Sequence, residues 1–144
     1  MNKPDQPWLN EPNYAHWVNE QTGLQCILSR HPDALFWAGY VGVDANNPLY
    51  QKDYCTVEIG SMWVHKGLTN SSFGLPHMWD CQDVQMLEDK GLWYFGFDAG
   101  HLYDYQPYRA DSRPPMSCET YRAYEYMREN CNALALKIFE ESKK

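Results

Sequence analysis

The segment GLWYFGFDAGHLYD, residues 91–104, decides the fold that the sequence predicts. Residues 92–97 are aromatic or apolar apart from one glycine, and a short run of this composition is typical of a buried β-strand. The polar residues Asp98, His101 and Asp104 follow directly, where the strand leaves the core. Ionisable groups held at such a place by a rigid scaffold are common in binding and catalytic sites. The segment is therefore predicted to be the central strand of a sheet and to carry a site at its end.

The chain around this strand predicts one α+β domain spanning residues 1–144. The strand-like segments predict an antiparallel sheet of about four strands, from residues 24–29, 34–43, 54–64 and 92–98. An amphipathic helix is predicted over residues 117–142, with Ser117 as its N-cap, and it should pack on one face of the sheet.

The remaining segments are predicted to be shorter or irregular. Residues 1–12 hold three prolines and predict an extended arm pinned by Trp8. A short helix is predicted over residues 13–21. Residues 65–76 are rich in turn formers and predict a surface loop.

Composition excludes some classes of partner. The formal net charge of -7 argues against binding of long duplex nucleic acid through a broad basic face, but it leaves room for a small anionic ligand in a local pocket. The five cysteines have no CxxC spacing and are predicted to be buried, reduced thiols: Cys26, Cys55, Cys81, Cys118 and Cys131. No apolar run is long enough to span a membrane, and no signal peptide is visible, so a cytoplasmic location is predicted.

Several side chains near the predicted site suit a nucleotide-type ligand. Aromatic rings stack on nucleobases, and five lie in the flanking segments: Tyr40, Trp63, Phe73, Trp93 and Tyr103. Lys66, Arg109 and the hydroxyl of Thr69 could meet phosphates. Gly39 and Gly42 flank Tyr40 and predict a strand face that stays open to a ligand or to another backbone. The few basic groups favour a small nucleotide over a polymer.

Five segments, in this order, resemble a family of small proteins encoded mainly by tailed bacteriophages. They cover most of residues 22–104 and read TGLQCILSRHP (22–32), GYVGV (39–43), NPLY (47–50), VHKGLT (64–69) and WYFGFDAGH (93–101). The family pattern reads HPLY, VHGGLT and WWFGFDCAH, so this chain departs from it at Asn47, at Lys66 and at residues 99–100. The missing cysteine at position 99 argues against a thiol nucleophile there.

The resemblance implies a phage origin and carries four candidate residues onto this chain. His65, Thr69, Asp98 and His101 match the family pattern. No secure function of the family follows with them, so a role against host defence is a hypothesis from the phage context.

Three interpretations of the site remain open. His65, Asp98, His101 and Asp104 carry donor atoms suited to a divalent metal cofactor, although their spacing matches no known metal signature. Alternatively, His65 and His101 act as general acid and base while Thr69 orients a phosphate oxygen. In the structural interpretation, Asp98 caps the following turn and His101 is a satisfied, partly buried histidine. If the site faces a ligand, replacing either histidine with alanine should change stability little.

The sequence therefore indicates three candidate functions. The first is a binder with Tyr40, His65, Lys66, Thr69, Asp98, His101 and Asp104 around a small nucleotide-type ligand, such as an immune signal of the host. The second is a phosphodiester or nucleotide hydrolase that uses His65, His101 and Asp98, with or without a metal. The third is a protein inhibitor of a host enzyme, with an acidic surface that includes Asp80, Asp83, Glu88 and Asp89.

Overall fold

The computed structural model describes residues 6–55, 65, 67–73, 91–108 and 114–143. Within them, five strands form one antiparallel sheet: β1 (Tyr14–Val18), β2 (Gln25–Arg30), β3 (Trp37–Val43), β4 (Asn70–Ser72) and β5 (Trp93–Asp98). The strand order is β1-β2-β3-β5-β4. The helix α1 (Tyr124–Glu141) packs on β2 and β3. The prediction of a single small α+β domain with a C-terminal helix on an antiparallel sheet is confirmed.

Two predicted segments have a different structure. The short helix predicted over residues 13–21 is wrong, because β1 pairs along its whole length with β2, from Tyr14 opposite Ser29 to Val18 opposite Gln25. The surface loop predicted over residues 65–76 contains β4, which pairs with β5. Both segments are edges of the described sheet, and backbone pairing with a neighbouring strand outweighs the weak local signals of their sequences.

The strands predicted over residues 92–98 and 54–64 have different outcomes. β5 is an interior strand between β3 and β4, but the middle of the described sheet is β3. Residues 93–98 of the 91–104 segment thus form a strand, as predicted, but this strand is not the central one. The predicted strand over residues 54–64 cannot be compared beyond Cys55, because residues 56–64 lie outside the described part of the chain; residues 54–55 are in a turn.

Glycines and aromatic rings face each other across β3 and β5. Gly39 pairs with Phe97, Gly42 with Tyr94, and Gly96 with Tyr40. A Cβ atom added to any of these glycines would lie 2.6 to 2.8 Å from the opposite ring. The glycines therefore leave space for rings of the neighbouring strand. The predicted opening to a ligand at Gly39 and Gly42 is wrong, because aromatic side chains of the same sheet fill it.

The sheet has a buried layer on each face. Phe95 and Phe97 lie on the face that packs against α1, and Trp93 packs against the same cluster, as the two-residue period of a strand predicts. The helix contributes Met127, Cys131, Leu134, Ala135 and Ile138, all fully buried. A second cluster contains Ile27, Ala38, Tyr40, Leu92 and Tyr94. Both faces of β3 are thus removed from water.

Helix α1 begins later than predicted and is capped from far away in sequence. Its first residue is Tyr124, and Ser117 lies in a turn before it, so the predicted N-cap is wrong. Instead, the Glu11 carboxylate accepts a hydrogen bond of 2.8 Å from the backbone N–H of Tyr124. Glu11 also lies 3.6 Å from the buried Arg30 guanidinium. A carboxylate at the N-terminus of a helix accepts from an otherwise unpaired N–H and interacts favourably with the positive end of the helix dipole.

The N-terminal arm is held by the residue predicted to pin it. The described part of the arm is not extended throughout, since Pro7–Asn10 form a short 3-10 helix. The Trp8 ring packs against Tyr105 and Tyr121, with ring centroids 5.4 and 5.1 Å apart. Arg30 donates a hydrogen bond of 2.7 Å to the Trp8 carbonyl oxygen. These contacts bring Glu11 to the start of α1.

The cysteines divide into two kinds. Cys26 and Cys131 are buried free thiols, as predicted, and burial raises the pKa of Cys131 well above its usual value. Cys55 and Cys118 are free but exposed, so burial was wrongly predicted for them. Cys81 lies outside the described residues.

Replacing Gly39 with alanine is expected to destabilise the protein by about 1 to 3 kcal/mol, the usual cost of overpacking a core. Alanine normally improves a strand position occupied by glycine. Here its Cβ would lie 2.6 Å from two ring atoms of Phe97, and that ring is buried in the core. Urea denaturation of the variant measures the loss. In a Phe97→Leu background the same change should cost less, because the ring is absent; equal costs in both backgrounds would contradict the proposed clash.

Candidate functional site

The four ionisable residues predicted for the site lie together as two linked pairs. His65 Nε2 lies 2.8 Å from Asp104 Oδ1, and His101 Nε2 lies 3.2 Å from Asp98 Oδ1. The backbone N–H of His101 donates a hydrogen bond of 3.2 Å to Asp104 Oδ2 and joins the two pairs. We call His65 and Asp104 the inner pair, and Asp98 and His101 the outer pair.

The two pairs differ in their access to water. The inner side chains are 4% and 0% exposed, whereas those of Asp98 and His101 are 15% and 33% exposed. His65 is therefore buried and does not lie at an opening to water, and its contact with a ligand stays a prediction. His101 keeps the partial exposure that a ligand-facing group requires.

Both ring nitrogens of His65 are engaged. Nε2 is 2.8 Å from each oxygen of Asp104, and Nδ1 is 2.7 Å from the Tyr126 hydroxyl. Because an ionised carboxylate only accepts hydrogen bonds, Nε2 carries a proton; Nδ1 accepts from the Tyr126 hydroxyl when the ring is neutral and donates to it when the ring is charged. The backbone N–H of His65 donates to Asn130 Oδ1 at 2.9 Å. Neither ring nitrogen of His65 remains for a substrate.

Asp104 is an ionised carboxylate held by several donors. Burial alone raises its pKa, but hydrogen bonds from His65 and Arg122, the charge of protonated His65 and the backbone N–H of His101 together lower the pKa below its usual value. The Arg122 Nε donates to Asp104 Oδ1 at 3.0 Å, and the same guanidinium lies 5.1 Å from the centre of the Tyr126 ring. The inner pair is thus part of a buried network that ties residue 104 to the segment before α1 and to α1 itself.

The outer pair combines a carboxylate that caps a turn with a partly exposed histidine. Asp98 Oδ1 accepts a hydrogen bond of 2.9 Å from the backbone N–H of Gly100, which confirms that Asp98 caps the turn. Asp98 Oδ2 accepts one of 3.2 Å from the Thr69 hydroxyl. The buried Nε2 of His101 lies 3.2 Å from Asp98 Oδ1, an ion-pair distance, and makes no hydrogen bond to the described residues.

The local fold explains how these groups meet. β5 ends at Asp98, and the turn after it is fixed by hydrogen bonds from Ala99 N to Trp37 O (2.9 Å) and from Asp104 N to His101 O (3.0 Å). Asp104 then forms a parallel bridge with Thr120, just before α1. The turn therefore folds back towards the helix and delivers Asp104 to His65.

The other predicted ligand residues are less available. Tyr40 is fully buried and fills the space at Gly96, so its ring is closed to a ligand. Phe73 and Trp93 pack edge to face, with centroids 5.0 Å apart, while Tyr103 is half exposed. Three predicted residues fall outside the described part of the chain: Trp63, Lys66 and Arg109.

Three residues of the network were not predicted from the sequence. Tyr126 and Asn130 lie one turn apart on α1, and Arg122 lies just before the helix. Arg122, Tyr126 and Asn130 are four residues apart, a spacing that places polar side chains in a stripe beside the apolar face of the helix. Among the described residues, no group of three or more His, Cys, Asp or Glu side chains is arranged to hold a metal ion.

Comparisons with known protein families, with curated proteins and with solved structures found no match to this chain. Among the described residues, no helix has the length and apolar character needed to cross a membrane.

Proposed function

We propose that this protein is a non-enzymatic binder of a small nucleotide-type ligand, with the outer pair and Thr69 at the edge of the binding site. The observation that carries the proposal is the partly exposed ring of His101, which lies beside the Asp98 carboxylate at the end of β5, where Asp98 also accepts from the Thr69 hydroxyl. A partly exposed imidazole can donate to a phosphate or to a base nitrogen.

The engagement of His65 favours binding over hydrolysis. A pair of histidines that exchange protons with a substrate must both reach it. Both ring nitrogens of His65 are used by buried partners, and its side chain is 4% exposed. The inner pair therefore serves as a support that orients the turn carrying His101.

The biological role of such a binder rests on the resemblance to phage proteins. A phage protein that captures a nucleotide signal in the host cytoplasm would blunt the host's defence, and this is the role that we propose. The class of ligand rests on the Asp98, His101 and Thr69 chemistry and on the exposed ring of Tyr103, two residues after His101 in the chain.

Titration calorimetry with a panel of cyclic and linear nucleotides tests the proposal. We expect one class to bind with a stoichiometry of about one per chain, as a single site requires. After denaturation of the complex, chromatography should recover the ligand intact. A panel without any binding would contradict the proposed function.

A hydrolase remains the second candidate because one specific arrangement favours it. Asp104, His65 and Tyr126 form a chain in which a buried carboxylate orients an imidazole, and the imidazole in its neutral form accepts from a hydroxyl. In that function Tyr126 would exchange protons with the substrate in place of His65. A hydrolase of this kind should turn over a nucleotide, and Tyr126→Phe should abolish the turnover. Turnover that persists in the presence of a chelator would exclude its metal-dependent form.

The third candidate, a protein inhibitor with an acidic surface, depends on residues outside the described part of the chain: Asp80, Asp83, Glu88 and Asp89. Purification of the protein together with a host protein, in place of a small molecule, would favour it.

A further inference from the structure

A second polar cleft lies on the opposite flank of α1 from the inner pair. It has a volume of about 480 Å³ and is formed by the end of β1, the turn that follows it and the middle of α1. His65 contacts Tyr126 and Asn130 on one side of the helix, whereas Arg128 and Asn132 line this cleft beside β1. β1 is at the far edge of the described sheet from β4. The cleft is therefore separate from the site proposed above.

Hydrogen bonds fix the orientation of the Asn132 amide. Its Oδ1 accepts from Trp17 Nε1 and from Asn19 Nδ2, both at 2.9 Å. The indole N–H can only donate, so Oδ1 must face it. Asn19 is fixed in turn, because its own Oδ1 accepts from the backbone N–H and the hydroxyl of Thr22 at 3.0 and 2.9 Å. Both N–H groups of Asn132 Nδ2 consequently remain without an acceptor among the described residues.

Arg128 adds a cation that no described carboxylate neutralises. Its guanidinium lies 4.2 Å from the centre of the Trp17 ring, and Nη1 donates to the Tyr124 hydroxyl at 3.0 Å. Stacking on the indole fixes the plane of the guanidinium and leaves its other N–H groups at the edge. Within the described residues no ion pair involves Arg128, although Glu20 lines the same cleft.

These groups form one donor surface. Arg128 and Asn132 are four residues apart on α1 and so lie on the same face of the helix. Both present unpaired N–H groups in a fixed orientation, and a planar guanidinium fork matches the oxygens of a carboxylate or a phosphate. We propose that this cleft binds the oxyanion of a small molecule, a carboxylate or a phosphate, through Arg128 and Asn132. This function is independent of nucleotide binding at His101.

Nuclear magnetic resonance of the full chain tests the proposal with sodium acetate and inorganic phosphate as probes. At constant ionic strength, the Trp17 indole N–H and the Asn132 side-chain amide signals should shift and saturate with at least one probe. Tighter binding of acetate assigns a carboxylate, and tighter binding of phosphate assigns a phosphate. Shifts that stay linear with both probes up to high concentration would overturn the proposal.

Two variants and one control make the test specific. Arg128→Gln should weaken binding by about tenfold or more, the effect of losing a charge-assisted hydrogen bond. Asn132→Asp keeps the shape of the side chain and the acceptor for Trp17 but replaces the N–H donor with a negative charge. It should therefore abolish saturable binding of both probes. Lys52→Gln removes one positive charge from an exposed position away from the cleft and should leave binding unchanged. If all three variants bind like the wild type, Arg128 and Asn132 do not form an anion site.

Discussion

Replacing Phe97 with alanine is expected to lower the free energy of unfolding by about 3 to 5 kcal/mol, the usual cost of removing a buried phenylalanine side chain. Phe97 is 1% exposed and belongs to the cluster between the sheet and α1. Its ring also covers Gly39, which has no side chain to fill the space that alanine would leave. The cavity can therefore close only partially.

Chemical denaturation of Phe97→Ala beside the wild type measures this loss. Leu102→Ala is the matched control, because Leu102 is 75% exposed in the turn after the same strand, and its loss should be within about 0.5 kcal/mol. A Phe97→Ala variant as stable as the control would show that β5 does not lie in the core.

Asp104→Ala is expected to cost a similar amount, about 3 to 5 kcal/mol, because it removes one member of a buried ion pair. His65 Nε2 would lose its acceptor in a place that water does not reach, and Arg122 would lose its carboxylate. Urea denaturation near neutral pH measures the effect. Asp33→Ala, at an exposed turn position, is the control and should change stability by about 0.5 kcal/mol or less.

The contribution of Asp104 should also depend on pH. The pKa of Asp104 is lower in the folded protein than its usual value, so the unfolded chain takes up a proton at a higher pH than the folded one. The stabilisation is therefore complete above about pH 5 and is lost as the pH falls through the folded pKa. The difference in stability between the wild type and Asp104→Ala should shrink over that acidic range. A difference that grows on acidification would show that the carboxylate is not stabilised by its partners.

The parts of the fold that were predicted correctly carry a local signal. Trp93, Phe95 and Phe97 alternate along a strand, and Met127, Cys131 and Leu134 recur at helical spacing, so their burial could be predicted from the sequence. β1 carries a weaker signal, because Tyr14–Val18 is short and lies at an edge where β2 supplies the pairing.

The parts that were missed depend on contacts distant in sequence. Glu11 caps a helix that begins at Tyr124, and nothing near Ser117 indicates that another residue does so. The environments of the two site histidines likewise depend on contacts distant in sequence. The sequence marked His65 and His101 as equivalent polar residues, whereas contacts with Tyr126 and Asp104 bury the first and leave the second partly exposed.

The central claim is that His101 contacts a nucleotide-type ligand while His65 only supports the turn. Calorimetric titration of His101→Ala, with the nucleotide that binds the wild type most tightly, tests it most directly. His16→Ala removes an exposed histidine on β1 and is the matched control. We predict that His16→Ala binds like the wild type, and that His101→Ala keeps the wild-type melting temperature but binds about tenfold or more weakly. Equal affinity of His101→Ala and the wild type would contradict the account.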